Sequence, residues 1–216
     1  NVIGTTNLLQ SLKVALPKSI IFTSSVSVYG IDMGNLIDES FPLMGETPYA
    51  KSKIEAEKEI LKFGKENDIN TVIIRLPLIT GKNPSGNLSE LMKAIKKGVY
   101  FRIGKGDAKK SMVSSLDIAK IIPTLFEKNG IFNLTDRIHP TFKEIDTYIG
   151  RIYGKSTLVM PFWLVKGLSY IGDIFPFFPL NSLKFSKMTK SLTFSDEKAV
   201  NEFGWSPGNA LINLDD

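Results

Sequence analysis

Apolar and polar positions alternate along this chain in two rhythms, one of helical spacing and one of short continuous runs. Residues 2, 3, 8, 9 and 12 are apolar, a spacing that predicts a helix from Val2 to Leu12. Ser19-Ile20-Ile21-Phe22 is a short apolar run closed by small polar residues, as a buried parallel strand is written. Pro48 suits the first turn of a second helix, rich in Lys, Glu and Ala, that runs to about Glu66. Thr71-Val72-Ile73-Ile74 reads as the next strand. The Gly/Pro/Asn loop from Gly81 to Gly86 then precedes a helix from about Leu88 to Lys97. Ser115 is placed to cap a helix that fades before Asn129-Gly130, and Thr141 to cap one ending near Ile152. Between them Ile131 to Leu134 reads as a strand. Strands alternating with helices predict an α/β fold with a parallel sheet. Ligands of such sheets sit beyond the carboxyl ends of the strands, here Thr23 to Gly30 and Leu76 to Gly81.

Composition narrows the class. The 216 residues are 43% hydrophobic and 23% charged, enough for one core, or one core and a small lobe, and too apolar for disorder. With no Cys and one His, disulfides, thiolate metal sites and a histidine zinc cluster are excluded, and no metal is expected. Of 27 cations 23 are Lys, scattered along the chain, and only Arg75, Arg102, Arg137 and Arg151 are Arg. That is a solvated lysine surface, not the Arg/Lys stripe of a nucleic-acid reader. The most apolar tract, Leu158 to Leu180, is interrupted by Lys166, Asp173 and three prolines. It predicts short buried elements rather than a spanning helix, with a membrane-surface contact as the alternative. The opening NVIGTTNLLQ lacks a basic n-region and an apolar h-region, so no signal peptide is read and a cytoplasmic protein is expected.

Two motifs could carry chemistry. Thr23-Ser24-Ser25-Val26-Ser27-Val28-Tyr29-Gly30 leaves hydroxyls at a strand end. Tyr49-Ala-Lys-Ser-Lys53 puts a phenol and an ammonium on one helix face, where the cation favours phenolate. A Tyr-x-x-x-Lys pair alone decides nothing, because about 0.6 such pairs arise by chance at this composition. The ordered constellation says more: a hydroxyl strand end, then Tyr 24 residues after Ser25 near a helix start, then Lys one turn later.

With those residues the chain resembles the extended short-chain dehydrogenase/reductase family, the nucleotide-sugar epimerases and dehydratases of the UDP-galactose 4-epimerase kind. The resemblance runs through Asn1-Val-Ile-Gly-Thr-Thr-Asn-Leu-Leu, Ile21-Phe-Thr-Ser-Ser-Val-Ser-Val-Tyr-Gly30, Glu39, Tyr49 to Lys53 with Glu57, and Arg75-Leu-Pro77 with Gly81. It continues through Ser115-Leu-Asp-Ile-Ala119, Phe132-Asn-Leu and Phe203-Gly-Trp-Ser-Pro207. It implies that Tyr49 is the catalytic acid/base and that Lys53 holds the nicotinamide ribose and favours the Tyr49 phenolate. Ser25 would be the catalytic hydroxyl, with Ser27 as a second donor to the sugar. Ser24 and Pro77 would lie against an NAD or NADP cofactor, and Asn87 and Lys110 would hold the diphosphate of a nucleotide-diphosphate sugar. The activity implied is an NAD(P)-dependent epimerase acting by transient oxidation at sugar C4. A 4-keto-6-deoxysugar reductase and an inactive binding module are the alternatives. A homodimer through the helices around 2–12 and 49–66 is also implied.

Two departures matter. No glycine fingerprint for a dinucleotide pyrophosphate occurs, and the resemblance begins in the helix after the family's fourth strand. The expectation is therefore the C-terminal part of a Rossmann-type sheet, with residues 1–80 and 111–134 in the dinucleotide-binding domain. Residues 81–110 and 135–216 would form a smaller substrate-binding lobe. Dehydratases of this family resemble one another in an Asp-Glu pair two and three residues after the position of Ser25; here stand Ser27 and Val28, which disfavours dehydration.

Other features read as structural. Gly150-Arg-Ile-Tyr-Gly-Lys-Ser156 is one residue short of a P-loop and follows a helical pattern, so Gly154 is expected as a helix cap. His139 is expected in a turn, and Asp117 at a helix start where a carboxylate suits the dipole. Trp163, Phe175, Phe177 and Phe178 are expected in the core of the small lobe.

Overall fold

The first two helices form where the sequence predicts them, one from its apolar spacing and the other from Pro48 at its first turn. In a computed structural model that describes residues 2–174 and 180–214, helix α1 spans Val2–Leu12. Strand β1, Ser19–Ser25, outruns the apolar run that announced it, because backbone pairing continues through the polar Thr23, Ser24 and Ser25. A 3-10 turn, Val26–Tyr29, and strand β2, Gly34–Ile37, follow. Helix α2, Pro48–Asn67, starts on Thr47, whose hydroxyl accepts the Ala50 N–H at 3.1 Å, with Pro48 pre-set for the first turn. Next come β3 (Asn70–Leu76), β4 (Leu78–Thr80), α3 (Gly86–Lys96), β5 (Phe101–Ile103) and β6 (Met112–Ser114). The chain continues through α4 (Ser115–Ile121), β7 (Gly130–Asn133) and α5 (Phe142–Tyr153). It ends with β8 (Leu158–Met160), α6 (Phe162–Ile174), α7 (Ser182–Thr189), β9 (Leu192–Phe194) and α8 (Glu197–Phe203).

Strands β1, β3 and β7 form one parallel sheet in that order, with β3 central and six of its seven residues buried. Three further pairs, β2 with β9, β4 with β6 and β5 with β8, are also parallel. This is the expected α/β architecture. Side chains of the sheet alternate between two cores. Ile20 and Phe22 pack with Leu9, Ile60, Phe63 and Ile69 beneath α1 and α2. Val72, Ile74 and Leu76 pack on the other face with Phe132, Leu134, Ala199 and Trp205. A third core joins α3 to α5 through Leu88, Met92, Ile95, Ile145 and Ile149.

Three expectations need correction. Ser114, not Ser115, caps α4: its hydroxyl accepts the Leu116 N–H at 3.2 Å, and the helix tightens to a 3-10 turn at Ile122–Leu125. Trp163 is not a core residue, being 74% exposed, and the tract from Leu158 is not a set of buried elements, since Leu158, Val159 and much of α6 face outward. Phe175, Phe177 and Phe178 lie outside the described residues. Gly154 does cap α5 in the left-handed region, at φ 60°. Asp117 accepts the Gly208 N–H at 2.9 Å, tying α4 to the chain after α8.

Candidate active site

Parallel pairing sets Ser24 opposite Arg75, so both side chains leave the sheet on the side covered by α2. There the Arg75 Nη2 donates to Glu57 Oε2 at 2.7 Å and its Nε to Oε1 at 3.2 Å, while the Ser24 hydroxyl donates to the same carboxylate. The second guanidinium arm reaches Tyr29 Oη at 3.1 Å, and Tyr29 donates to Asn133 Oδ1 at 2.7 Å. The Asn133 backbone N–H donates to Glu39 at 2.6 Å. Burial pushes the Tyr29 phenol and the Glu39 carboxyl up. The Arg75 guanidinium is held above its ordinary value: burial opposes this, and the bonds to Glu57 and Tyr29 overcome it. Every polar group in this buried network has a partner, which such a network needs to be stable.

The network sets the height of α2. Glu57, Lys53 and Tyr49 recur every four residues and form one ridge of the helix. Glu57 sits in the core; one turn nearer the N-terminus, the Lys53 ammonium donates to the Thr23 carbonyl at 2.8 Å. It stands 4.6 Å from the Phe22 ring centroid and 6.0 Å from that of Tyr49. Burial pushes the Lys53 amine down, and the Glu57 carboxylate partly offsets that. One turn further, Tyr49 is 52% exposed, and its hydroxyl makes no hydrogen bond among the described residues.

The turn after β1 is clamped to the start of α2. Gly45 donates its N–H to the Val28 carbonyl at 3.0 Å. A Cβ on Gly45 would lie 2.5 Å from the Ala50 Cβ and 2.8 Å from the Ser27 carbonyl, so only glycine lets the two segments meet. Gly30, at φ 68°, closes the turn against the Met44 carbonyl, 2.2 Å from where a Cβ would stand. Within the turn, Ser25 Oγ accepts the Ser27 N–H at 3.2 Å. The Ser27 hydroxyl is buried without a hydrogen-bond partner among the described residues, a condition that calls for a donor or acceptor from outside.

The structure therefore brings Ser25, Ser27, Tyr49 and Lys53 to the carboxyl end of β1. Pro77 follows Leu76, the register partner of Ser25, and so borders the same end. Ser24 is placed there too, but its hydroxyl turns inward to Glu57. Asn87 stands exposed in the first turn of α3. Lys110 makes its contacts elsewhere, donating to the Lys190 carbonyl at 3.0 Å and lying 5.7 Å from the Phe142 ring centroid. Burial pushes its amine down to about 8, with Lys187 adding to the fall and Asp32 opposing it. His139 sits in a turn with Nδ1 3.0 Å from the Ser111 hydroxyl. Sequence reasoning quoted Glu57 and Arg75 without giving them a role. The usable signal was an arginine inside the apolar run of β3, which needs a buried counter-charge.

Comparison with known proteins bears on this arrangement. Residues 1–135 match the family model described as the NAD dependent epimerase/dehydratase family. An N-acetyl-alpha-D-glucosaminyl-diphospho-ditrans,octacis-undecaprenol 4-epimerase of Escherichia coli O157:H7 is 36% identical over 124 residues, 56% of this chain and 37% of that protein. A UDP-glucose 4-epimerase of Vibrio cholerae is 27% identical over 98% of this chain and 65% of its own length. The chain thus spans less than two thirds of these relatives. Among solved structures, the UDP-glucuronic acid 4-epimerase from Bacillus cereus, in complex with UDP-glucuronic acid and NAD, superposes with a TM-score of 0.74. That match is 19% identical and covers 99% of this chain and 64% of the other. The UDP-glucose 4-epimerase of Thermotoga maritima gives a TM-score of 0.72 at 19% identity, covering 99% and 67%. At that identity the likeness concerns the fold.

Proposed function

The chain belongs to the NAD dependent epimerase/dehydratase family, and within it we propose that it carries the catalytic part of an NAD(P)-dependent 4-epimerase of diphosphate-linked sugars. The observation that carries the reading is the exposed Tyr49 phenol held one helical turn from the Lys53 ammonium, at the carboxyl end of β1. We further propose that residues 1–80 and 111–134 serve the dinucleotide and residues 81–110 and 135–216 the substrate, in a cytoplasmic homodimer.

The residues fit the two ligands together: Lys53 offers a cation beside an open strand end for the dinucleotide, and Ser27 offers the sugar a buried hydroxyl with no partner among the described residues. Bound there, NAD(P) would supply reversible two-electron oxidation at the sugar C4. Tyr49, as phenolate, takes the proton of the 4-hydroxyl as the carbonyl forms and returns it when the hydroxyl re-forms on the opposite face. Lys53, one turn along the same ridge, would hold the nicotinamide ribose. Ser25 and Ser27 donate to the sugar oxygen that becomes the carbonyl. Ser24 donates its hydroxyl to Glu57 and so supports α2, which leaves only its backbone to border the cofactor. Pro77 would lie against the nicotinamide and Asn87 would meet the diphosphate, which Lys110 could join only by leaving the Lys190 carbonyl. Val28 is wholly buried, so the position where a dehydratase would carry an acid supplies no proton here.

The name of the Escherichia coli relative supports a second version of the substrate, in which a polyprenol replaces the nucleoside on the diphosphate. One assay decides both points. Full-length protein is incubated with UDP-glucose, UDP-N-acetylglucosamine or an N-acetylglucosaminyl-diphospho-polyprenol, and the C4 epimer is read by NMR. Epimer formed without net loss of dinucleotide supports the reading. No epimer from any of the three, together with stoichiometric oxidation of added NAD(P)H by a nucleotide 4-keto-6-deoxysugar, overturns it in favour of a reductase.

A further inference from the structure

Helix α6 is built inside out. Its buried positions are Val165, Ser169 and Gly172, and a Cβ on Gly172 would stand 1.7 Å from the Leu180 carbonyl oxygen, so the chain packs on bare helix backbone there. The large apolar side chains point the other way. Trp163 and Ile174 are 74% and 73% exposed, and Leu164, Tyr170 and Ile171 are exposed beside them. At 100° per residue, Trp163, Gly167, Tyr170, Ile171 and Ile174 share the side opposite Val165 and Gly172. A helix that packs on a soluble core is written in the reverse sense, with its large apolar residues inward. On the flanking elements, Leu158, Val159 and Leu183 are exposed as well.

Charge narrows what this face meets. Residues 155–194 hold five lysines, Lys155, Lys166, Lys184, Lys187 and Lys190, against one acid of their own, Asp173, in a chain whose net charge is +5. Lys187 has a distant carboxylate beside it, Asp32 at 4.0 Å. Asp173 is turned to α7, accepting the Ser182 N–H at 3.0 Å. Two copies of the face brought together would oppose like charges, whereas an anionic surface would complement them. No helix among the described residues is long and apolar enough to cross a membrane. An aromatic and aliphatic face with a basic flank has the composition of a helix that lies in the plane of a bilayer interface.

We propose that the outer face of α6 seats this protein on an anionic lipid bilayer. Trp163, Tyr170, Ile171 and Ile174 enter the boundary between headgroups and acyl chains, and Lys166 rests among the lipid phosphates. The inference stands on α6 and its flanks, and is independent of the reaction proposed above.

Trp163 reports on this face as the difference between wild type and Trp163→Phe, since Trp205, the second tryptophan of these 216 residues, is 3% exposed. Full-length protein is titrated with vesicles of equal phosphatidylglycerol and phosphatidylcholine, and with vesicles of phosphatidylcholine alone. The expected result is a blue shift of tryptophan emission and co-flotation with the anionic vesicles, both weakened by salt. Tyr170→Ser/Ile171→Ser/Ile174→Ser, which keeps the reporter, should lower the affinity by about tenfold or more. Should that variant lose its circular dichroism signal, Trp163→Ser and Lys166→Glu replace it in the flotation assay. Absence of flotation by the wild type overturns the proposal, as does equal flotation of the folded variants. A dimer in ultracentrifugation that the triple substitution dissolves, with vesicles left unbound, would assign the face to a second copy and overturn it too.

Discussion

Arg75 of β3 and Glu57 of α2 close a two-pronged ion pair across the interface between sheet and helix, at 2.7 and 3.2 Å, with each side chain 2% exposed. Ser24 and Tyr29 take up neighbouring hydrogen-bonding positions. The pair fixes both the rotation and the height of α2 over the sheet. Lys53 and Tyr49, one and two turns away on the same ridge, inherit their positions from it.

Glu57→Gln should therefore be strongly destabilising, because it leaves a buried guanidinium without its counter-charge. The expected loss is about 3–5 kcal/mol in urea unfolding. Arg75→Met with Glu57→Met should lose less than either single change, since no charge is then stranded. Single variants within about 0.5 kcal/mol of the wild type would show that the pair does not hold the helix.

Gly45→Ala tests the clamp between the turn and α2. The new Cβ would meet Ala50 and the Ser27 carbonyl closer than packed atoms approach, so the start of α2 must shift away from Ser25. A displacement of about 1 Å at a reacting group lowers turnover about 100-fold. In the full-length enzyme kcat should fall by that order while dinucleotide affinity changes little. An unchanged kcat would mean that the clamp does not position Tyr49.

Lys53→Met removes the ammonium held on the Thr23 carbonyl. If Lys53 serves both the dinucleotide and Tyr49, the variant loses affinity in a fluorescence titration with NADH and loses kcat in the same protein. Loss of one without the other would separate two roles that are here given to one residue.

Lys110 carries a pH signature of its own. Burial brings its amine down to about 8, whereas an unfolded lysine titrates near ~10.4. Between those values the unfolded chain holds a proton that the folded chain has released, so stability rises with pH across that window. Below pH ~8 both states are protonated and the contribution is flat. The melting temperature of the wild type, measured against Lys110→Met, should gain ground from about pH 8 to 10. A difference independent of pH would contradict the buried environment.

What could be read in advance follows from physical range. Helices α1, α2 and α5 announce themselves through apolar spacing, Pro48 and the Thr141 cap, and β1, β3 and β7 through apolar runs. All of these are signals carried by neighbours in sequence. Strands β2, β4, β5, β6, β8 and β9 have three or four residues each and find partners far along the chain, so no period marks them. Tyr49 and Lys53 were legible because one helical turn separates them. The Arg75–Glu57 pair crosses two layers, and only the charge inside an apolar strand hinted at it. Trp163 departs from its expected place because large apolar side chains ordinarily point inward, and on α6 that rule is reversed.

The most direct test of the central claim is the epimerisation rate of full-length Tyr49→Phe, followed by NMR at C4 with the substrate that the wild type accepts. The proposed acid/base role predicts turnover below detection, with NADH affinity within about 3-fold of the wild type, because phenylalanine keeps the ring and loses only the proton carrier. Turnover near the wild-type rate would contradict it and place the acid/base group elsewhere.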